Sequence, residues 1–381
     1  MKKIVYAVYH DINKEERSRE LLNCCRKLGK VDLITYEVPK GVKDISVHII
    51  NKTSVIALFL FIYTIKKVIS TVKPDYVVLH DNDCSVIIPF LKKKYPAVKI
   101  IYDSSELYIK KNPGQTKKVG WKSDGFMIWI KQKITSFRSK YEKKYLKYAD
   151  VVIAANLERA KIMKDYFQLD KIPIIFDNIH KIEDEYDEAA CEVKFSNIIE
   201  KNGFNILFGG GISEERKTFD YIQAIDKLDA RFNLIIAGSA SIKAKKKYDV
   251  LLSKCKRDRI HYVGFVSRAE LRYLMQKCQA SVVLFDKDSY NTLYCASGKC
   301  YESLFEDTPI LASENPPLKR LCDIEKIGVS NDNYEQGIIQ LSSNYDYYVK
   351  NVKRYVYNLQ YEYRVANLVK EIKNILGEKS E

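Results

Sequence analysis

Two stretches of this sequence set glycines, cations and a carboxylate where a strand gives way to a helix. The first is LFGGGISEERKTFDYI, Leu207–Ile222, in which Gly209, Gly210 and Gly211 follow an apolar run and precede a helical period. Glycines there let the backbone approach a ligand closely and expose N–H groups at a helix start. A helix N-terminus carries roughly half a positive charge, which suits a phosphate, and Arg216 and Lys217 add full charges beside it. The loop has neither Walker A nor G-x-G-x-x-G spacing, so a tight strand-to-helix turn is the plainer alternative. The second stretch is NTLYCASGKCYESLFEDTPILAS, Asn291–Ser313, where a loop ends at Ser297 and Gly298 and a helix begins near Lys299. One turn on, Glu302 is suited to a sugar diol, because an ionised carboxylate accepts two hydrogen bonds. The plainer alternatives are a carboxylate answering the helix dipole and a solvated lysine.

The elements that must position these groups alternate almost from end to end. Apolar runs such as Lys3–Tyr9, Asp75–Leu79, Lys99–Tyr102 and Asp150–Ala154 read as strands, separated by helical periods such as Glu15–Leu28, Ser54–Val72 and Leu157–Phe167. Such alternation predicts parallel sheets covered by helices on both faces. It lapses over His180–Gly203, which is acidic and weakly patterned, and resumes from Asn205 to Ala312 before a long helical stretch near Tyr345–Leu376. The fold expected is α/β: two tandem, Rossmann-like, doubly wound domains facing a central cleft. An N-terminal domain over 1–179, a linker over 180–203, a C-terminal domain over 204–344 and a helical segment over 345–381 packing back toward the N-terminal domain follow from this pattern. In such sheets ligands sit outside the carboxyl ends of strands. His10, Asp11, Asp81, Asp103 and Glu106 fall there in the first domain, and Gly264, Phe265 and Val266 in the second.

Composition removes other classes. With 381 residues, 46% of them hydrophobic, the chain can bury two ordinary cores without staples. Nine scattered cysteines without a C-x-x-C pair indicate reduced thiols rather than a zinc site or a secreted framework. The N-terminus reads as a first strand rather than a signal peptide, and the longest apolar run, Val55–Tyr63, is about half a membrane span. A cytoplasmic location, peripheral at the inner membrane face, is therefore expected. Of the net charge of +15, Lys110–Tyr148 carries twelve cations against two acids, with both tryptophans and an apolar stripe through Met127, Ile130, Ile134, Phe137 and Tyr141. This patch suits an anionic membrane surface, or, more plainly, a helix packed on its own domain with a solvated lysine face. Nucleic acid is not an expected partner, since no zinc-finger, helix-turn-helix or RNP-type pattern accompanies the charge.

In order along the chain, KPDYVVLHDND, KIIYDSSELY, YADVVIAANLERAKIMKDYF, IIFDNIH, LFGGGISEERKTFDYIQAI, LIIAGSA, RIHYVGFVSRAELRYLMQKCQASVVLF and YCASGKCYESLFEDTPILAS resemble segments of family-4 glycosyltransferases of the GT-B fold, of the bacterial polysaccharide-assembly type. The resemblance implies transfer of a sugar, with retention and without a metal or other cofactor, from a nucleotide-diphosphate donor, UDP- or GDP-linked, to a glycan or lipid-linked acceptor. By position it implies that Glu302 binds the donor ribose and that Lys217, with Arg216 and Lys299, neutralises the departing diphosphate. Gly209–Gly211 and the turn Ser297–Gly298–Lys299 would lie against the donor, and the base would rest near Gly264, Phe265 and Val266. The chain departs from the family at Tyr294, Ser105, Gly211 and Asp307, where Glu, His, Arg and Gly are frequent. Those departures also suit an inactive sugar-nucleotide binder acting as an assembly partner; a GT-B-fold epimerase is a third reading. An inverting transfer would need a general base, for which Asp103 and Glu106, three apart in an expected loop, are favoured over His10, Asp11 and Asp81. Asp81-Asn82-Asp83 also has the D-x-D form of a metal-binding pair, which the two-sheet layout argues against.

Overall fold

The computed structural model describes residues 1–51, 57–109, 125–214, 216–255 and 258–378, with the backbone alone over 125–132. The chain divides into two units, Met1–Asn178 with Tyr361–Glu381, and Ile179–Gln360.

The first unit runs β1 (Lys2–Ala7), α1 (Glu16–Leu28), β2 (Gly29–Thr35), β3 (Ser46–Ile49), α2 (Ala57–Val72), β4 (Tyr76–His80), α3 (Ile88–Lys94), β5 (Lys99–Ser104), α4 (Gly125–Tyr145), β6 (Val151–Ala154), α5 (Leu157–Phe167) and β7 (Ile174–Ile175). The strands pair in the order β3-β2-β1-β4-β5-β6-β7, every pair parallel. The order reverses between β1 and β4, which is the switch point of a doubly wound sheet. All five residues of β4 are buried, as a strand covered on both faces requires. Local chemistry agrees with the pattern: Asn156 caps α5 by accepting the Arg159 N–H at 2.8 Å, and the helix ends at Gln168 in the left-handed region.

The second unit runs α6 (Glu188–Phe195), β8 (Phe204–Phe208), α7 (Thr218–Lys227), β9 (Phe232–Ala237), α8 (Ile242–Leu252), β10 (Ile260–Gly264), α9 (Arg268–Lys277), β11 (Ala280–Val283), α10 (Tyr290–Leu293), α11 (Gly298–Phe305), β12 (Ile310–Ala312), α12 (Pro316–Glu325), β13 (Gly328–Ser330), α13 (Tyr334–Ser343) and α14 (Tyr345–Asn358). Its sheet, β10-β9-β8-β11-β12-β13, is again wholly parallel and reverses between β8 and β11. Residues of β8 alternate between two cores. Ile206 and Phe208 join Ile222, Leu234 and Leu311 on one face, and Leu207 joins Phe195, Ile235 and Leu274 on the other. The last helix, α15 (Arg364–Leu376), belongs to the first unit, where Leu368 and Ile372 share a core with Ile4, Leu21 and Val31.

Several expected boundaries move. Residues 180–203, read as a linker, carry α6 and bury Ile182, Cys191 and Phe195 in the second unit. The expected helical stretch Tyr345–Leu376 is two helices broken around Gln360 (φ 46°); α14 stays with the second unit and α15 with the first. Residues 110–124 of the basic patch, with Trp121, lie outside the described residues, and the side chain of Trp129 is not described. Beyond them Phe137 and Tyr148 are exposed, and Phe137, Tyr141, Tyr145 and Tyr148 form a ladder of rings 4.5 to 6.4 Å apart.

Also on α4, Glu142 is buried and accepts the Tyr102 hydroxyl at 2.7 Å. Burial pushes its carboxyl up to about 8, against a partial downward pull from that hydrogen bond. The folded state therefore holds a proton between about pH 4.5 and 8 that the unfolded chain releases, so stability falls as pH rises through that window and levels above it. Glu142→Gln mimics the protonated acid; it is expected to remove this fall, raising stability above pH 8 by as much as about 5 kcal/mol. Urea denaturation at pH 5 and pH 9 checks it, and equal pH dependence in variant and parent would refute it.

Candidate functional site

The second unit gathers its candidate residues at the carboxyl ends of its strands. Gly211, after β8, has φ 74°, and a Cβ there would lie 2.1 Å from the Ser239 carbonyl oxygen. Gly238, after β9, has φ 132°, and a Cβ would lie 2.5 Å from the Gly211 nitrogen. The two turns are thus in backbone contact, bonded by the Gly211 N–H to Ala237 O at 3.0 Å. That contact excludes a side chain at Gly211, which explains why no arginine stands there. Thr218 Oγ1 donates to the Gly211 carbonyl at 3.2 Å and accepts the Ser213 N–H at 3.2 Å, stitching the loop to the start of α7. Lys217 precedes α7 in the left-handed region at φ 56°; among the described residues no carboxylate pairs with it. Gly209 and Gly210 are less constrained, a Cβ meeting only the side chains of Leu271 at 3.4 Å and Phe208 at 3.5 Å.

Across the switch point, the Arg216 guanidinium lies 4.3 Å from the centre of the Phe285 ring, just beyond β11. Phe285 is anchored in turn by its N–H to Ser313 Oγ at 3.1 Å. At α11, Ser297 is the N-cap residue but its side chain makes no capping bond. Glu302 is buried one turn into that helix, with His180 Nε2 at 3.6 Å and Arg268 Nη1 at 3.5 Å from one carboxylate oxygen. Burial lowers the Lys299 ammonium; Glu302 opposes this, and the charges of Arg216 and Arg268 lower it further. Arg216 and Arg268 are thus electrostatic neighbours of Lys299, with Glu302 opposing them and Asp184 pairing with Arg268 Nε at 3.2 Å, an arrangement that an anion would relieve. His180 also fixes Gly298, since a Cβ at that position would fall 2.0 Å from the imidazole Nε2. Gly264 ends β10 at φ 73° with open space around it, Phe265 is 82% exposed and Val266 is buried.

The first unit gathers a second group at its own strand ends. Asp103 lies inside β5, not in a loop, and is 1% exposed. It accepts Arg17 Nη2 at 2.5 Å and Nε at 3.1 Å, with His80 Nδ1 2.9 Å away. Burial works against its charge, but the adjoining Arg17 guanidinium and the His80 contact hold its carboxyl below the usual range. It is therefore an anchor for Arg17 and His80 and presents no base to solvent; Glu106 is exposed. Asp81, at φ 57°, accepts the Ser105 N–H at 2.8 Å, the Ser105 hydroxyl at 2.7 Å and the Glu106 N–H at 3.1 Å. Ser105, at the position of the frequent histidine, thus holds the turn after β5. Asp83 pairs with Arg138, so the two acids of the D-x-D stretch are turned to separate partners. His10 accepts or donates at Ser18 Oγ, 2.9 Å away, and Asp11 caps the short turn after β1 by accepting the Asn13 N–H at 3.0 Å.

Sequence reasoning passed over His180, Arg268, Arg17 and Glu15. Only the first two lie within segments that carried the family resemblance.

No protein-family model matches the chain. An uncharacterized glycosyltransferase of Methanocaldococcus jannaschii is 28% identical over 194 residues, 48% of this chain and 44% of that relative. The match therefore spans less than half the length of that relative. Among solved structures, sucrose-phosphate synthase of Thermosynechococcus elongatus superposes with a TM-score of 0.73 at 13% identity, over 99% of this chain and 100% of that one. Anabaena HepE, solved in complex with UDP, gives 0.70 at 11% identity, over 99% and 100%. The protein has the GT-B fold, two Rossmann-like α/β units with parallel sheets of seven and six strands. Among the described residues no helix is long and apolar enough to cross a membrane.

The backbone contact between the two glycine turns makes a direct prediction. Gly211→Ala is expected to destabilise the second unit by about 2–4 kcal/mol, through the left-handed φ and the clash with Ser239. Gly210→Ala, with only a movable ring near it, is expected to cost under about 1 kcal/mol. Thermal denaturation of both variants decides, and equal midpoints would show that the turn yields.

Proposed function

We propose that the protein is a glycosyltransferase of the family-4 kind. It would transfer a sugar from a UDP- or GDP-linked donor to a glycan or lipid-linked acceptor in surface polysaccharide assembly, with retention. The observation that carries this reading is the set of cations, Lys299, Arg216 and Arg268, around one buried carboxylate at the switch point of the second sheet. In that reading Glu302 accepts the ribose hydroxyls while His180 and Arg268 hold its side chain. The base lies by the exposed Phe265 ring and the main chain of Gly264 and Val266. The diphosphate takes the Gly209–Gly211 loop, the start of α11 at Ser297–Gly298, and the charges of Arg216, Lys217 and Lys299. Negative charge grows on the leaving diphosphate as the glycosidic bond breaks. Fixed cations and N–H groups stabilise that state more than the ground state, which is what accelerates transfer.

The match to a glycosyltransferase across 48% of the chain, and the UDP complex of a protein with the same fold, support this reading. A nucleotide at about 100 times its dissociation constant stabilises its site by about 2.7 kcal/mol, so thermal shift against UDP-, GDP-, ADP-, CMP- and dTDP-sugars identifies the donor. With that donor radiolabelled, Lys217→Ala and Glu302→Ala are each expected to lower turnover at least about 100-fold with the fold retained. Turnover at the parental rate in either would remove the site assignment. Donor binding with neither transfer nor slow hydrolysis would instead support the inactive assembly partner, and interconversion of donor without acceptor the epimerase.

The basic-aromatic segment Lys110–Tyr148 fits an anionic membrane face carrying the acceptor. Its described part exposes Phe137 and Tyr148 beside Lys140, Lys144 and Lys147. Each lysine near such a surface contributes on the order of 1 kcal/mol. Flotation with anionic vesicles is expected and should be lost with neutral ones; equal behaviour in both would return the segment to ordinary solvated surface.

A further inference from the structure

The group at the carboxyl ends of β1 and β4 has the composition of a metal site. His10 follows β1, Glu15 immediately precedes α1, and His80 ends β4. Glu15 Oε2 is 2.9 Å from His10 Nε2 and 3.1 Å from His80 Nε2. The donor atoms of the three residues lie within 4.8 Å of one another. Ser18 Oγ completes the cluster, 2.9 Å from His10 Nε2 and 3.4 Å from His80 Nε2, and in contact with Glu15. Around a tetrahedral ion with bonds of about 2.0–2.1 Å, donors are roughly 3.3 Å apart, so Glu15 needs to draw back from the two imidazoles by only a few tenths of an ångström and from Ser18 by more. The residues that would give way are His10 and Glu15, each about a third exposed, while His80 is buried and fixed.

A further observation points to a cation. His80 Nδ1 faces Asp103 Oδ2 at 2.9 Å, and Asp103 is itself clamped by Arg17. A carboxylate placed behind a histidine is the usual support of a ligating imidazole. Among the described residues, Glu15 and Asp81 also approach His80 Nε2, at 3.1 and 3.7 Å. Two imidazole nitrogens with one carboxylate select zinc-class ions over magnesium or calcium, which prefer all-oxygen shells.

We propose that the first unit binds one zinc-class divalent cation through His10 Nε2, Glu15 Oε2 and His80 Nε2, with Ser18 Oγ or water at the fourth position. The inference stands on the first unit alone and does not rest on the sugar-transfer reading.

The test uses the full chain, stripped with a chelator and titrated with Co²⁺ and then Zn²⁺ under equilibrium dialysis. One ion per chain is expected, with Co²⁺ giving the visible absorption of a four-coordinate nitrogen–oxygen site and no thiolate charge-transfer band. His10→Ala and Glu15→Gln should each weaken binding at least tenfold. Both positions are partly exposed, so both variants are expected to fold, and circular dichroism on each verifies this; His10→Gln serves if the alanine variant does not. Absence of a stoichiometric ion in the parent protein overturns the proposal. Binding that survives both substitutions, or that shows thiolate ligation by any of the nine cysteines, overturns it as well.

Discussion

Parallel pairing is the constraint on which the rest of this structure depends. When every strand of a sheet runs the same way, each carboxyl end opens on the same edge, and every crossover must return along a face. The apolar content of the strands is used up in covering both faces. What remains free to vary is the few residues just past each strand, and in both units those residues are where charge collects. In the first sheet they are His10, His80 and Asp81, with Asp103 at the end of β5. In the second they are the glycine turns, Phe285 and the approach to α11. The switch point between the first and fourth strands of each sheet is also where two crossovers leave in opposite directions, opening the space that a ligand needs.

Both sites handle buried charge by the same means and reach opposite results. Asp103 is matched: both its oxygens accept from the Arg17 guanidinium, with the His80 imidazole beside one of them, and it is the better anchor for being unreachable. Glu302 is loosely matched: its partners stand 3.5 and 3.6 Å away, beyond good hydrogen-bonding distance. A saturated carboxylate stiffens a fold, whereas a loosely held one keeps lone pairs for something else to satisfy. The glycines complete the contrast, since Gly211 and Gly238 meet backbone to backbone at a distance that no side chain would allow.

Legibility in the sequence followed the range of the interaction. Leu157–Phe167 can be placed to the residue because Asn156, a local capping signal, stands beside it. The glycine loop and Lys299–Glu302 are local patterns too, and both sit where strand-to-helix reasoning puts them. What could not be read were pairings across the chain. Arg17 meets Asp103 over 86 residues, and His180 meets Gly298 over more than a hundred; a single sequence carries no sign of either. The edge strand β3 is short and half-exposed, without a buried face to betray it. The helix α6 is masked by its acidic approach, although Cys191 and Phe195, four apart, supply the stripe that buries it.

The return of α15 to the first unit bears on the order in which the protein comes into being. During synthesis the whole of the second unit emerges while the first still lacks the helix that covers Ile4, Leu21 and Val31. For that interval the N-terminal sheet carries an open apolar face, the kind of surface that chaperones hold and that aggregation exploits. The second unit, continuous in sequence, can close before the first is finished. The nascent chain is thus completed out of order, its first-made half waiting on its last-made helix.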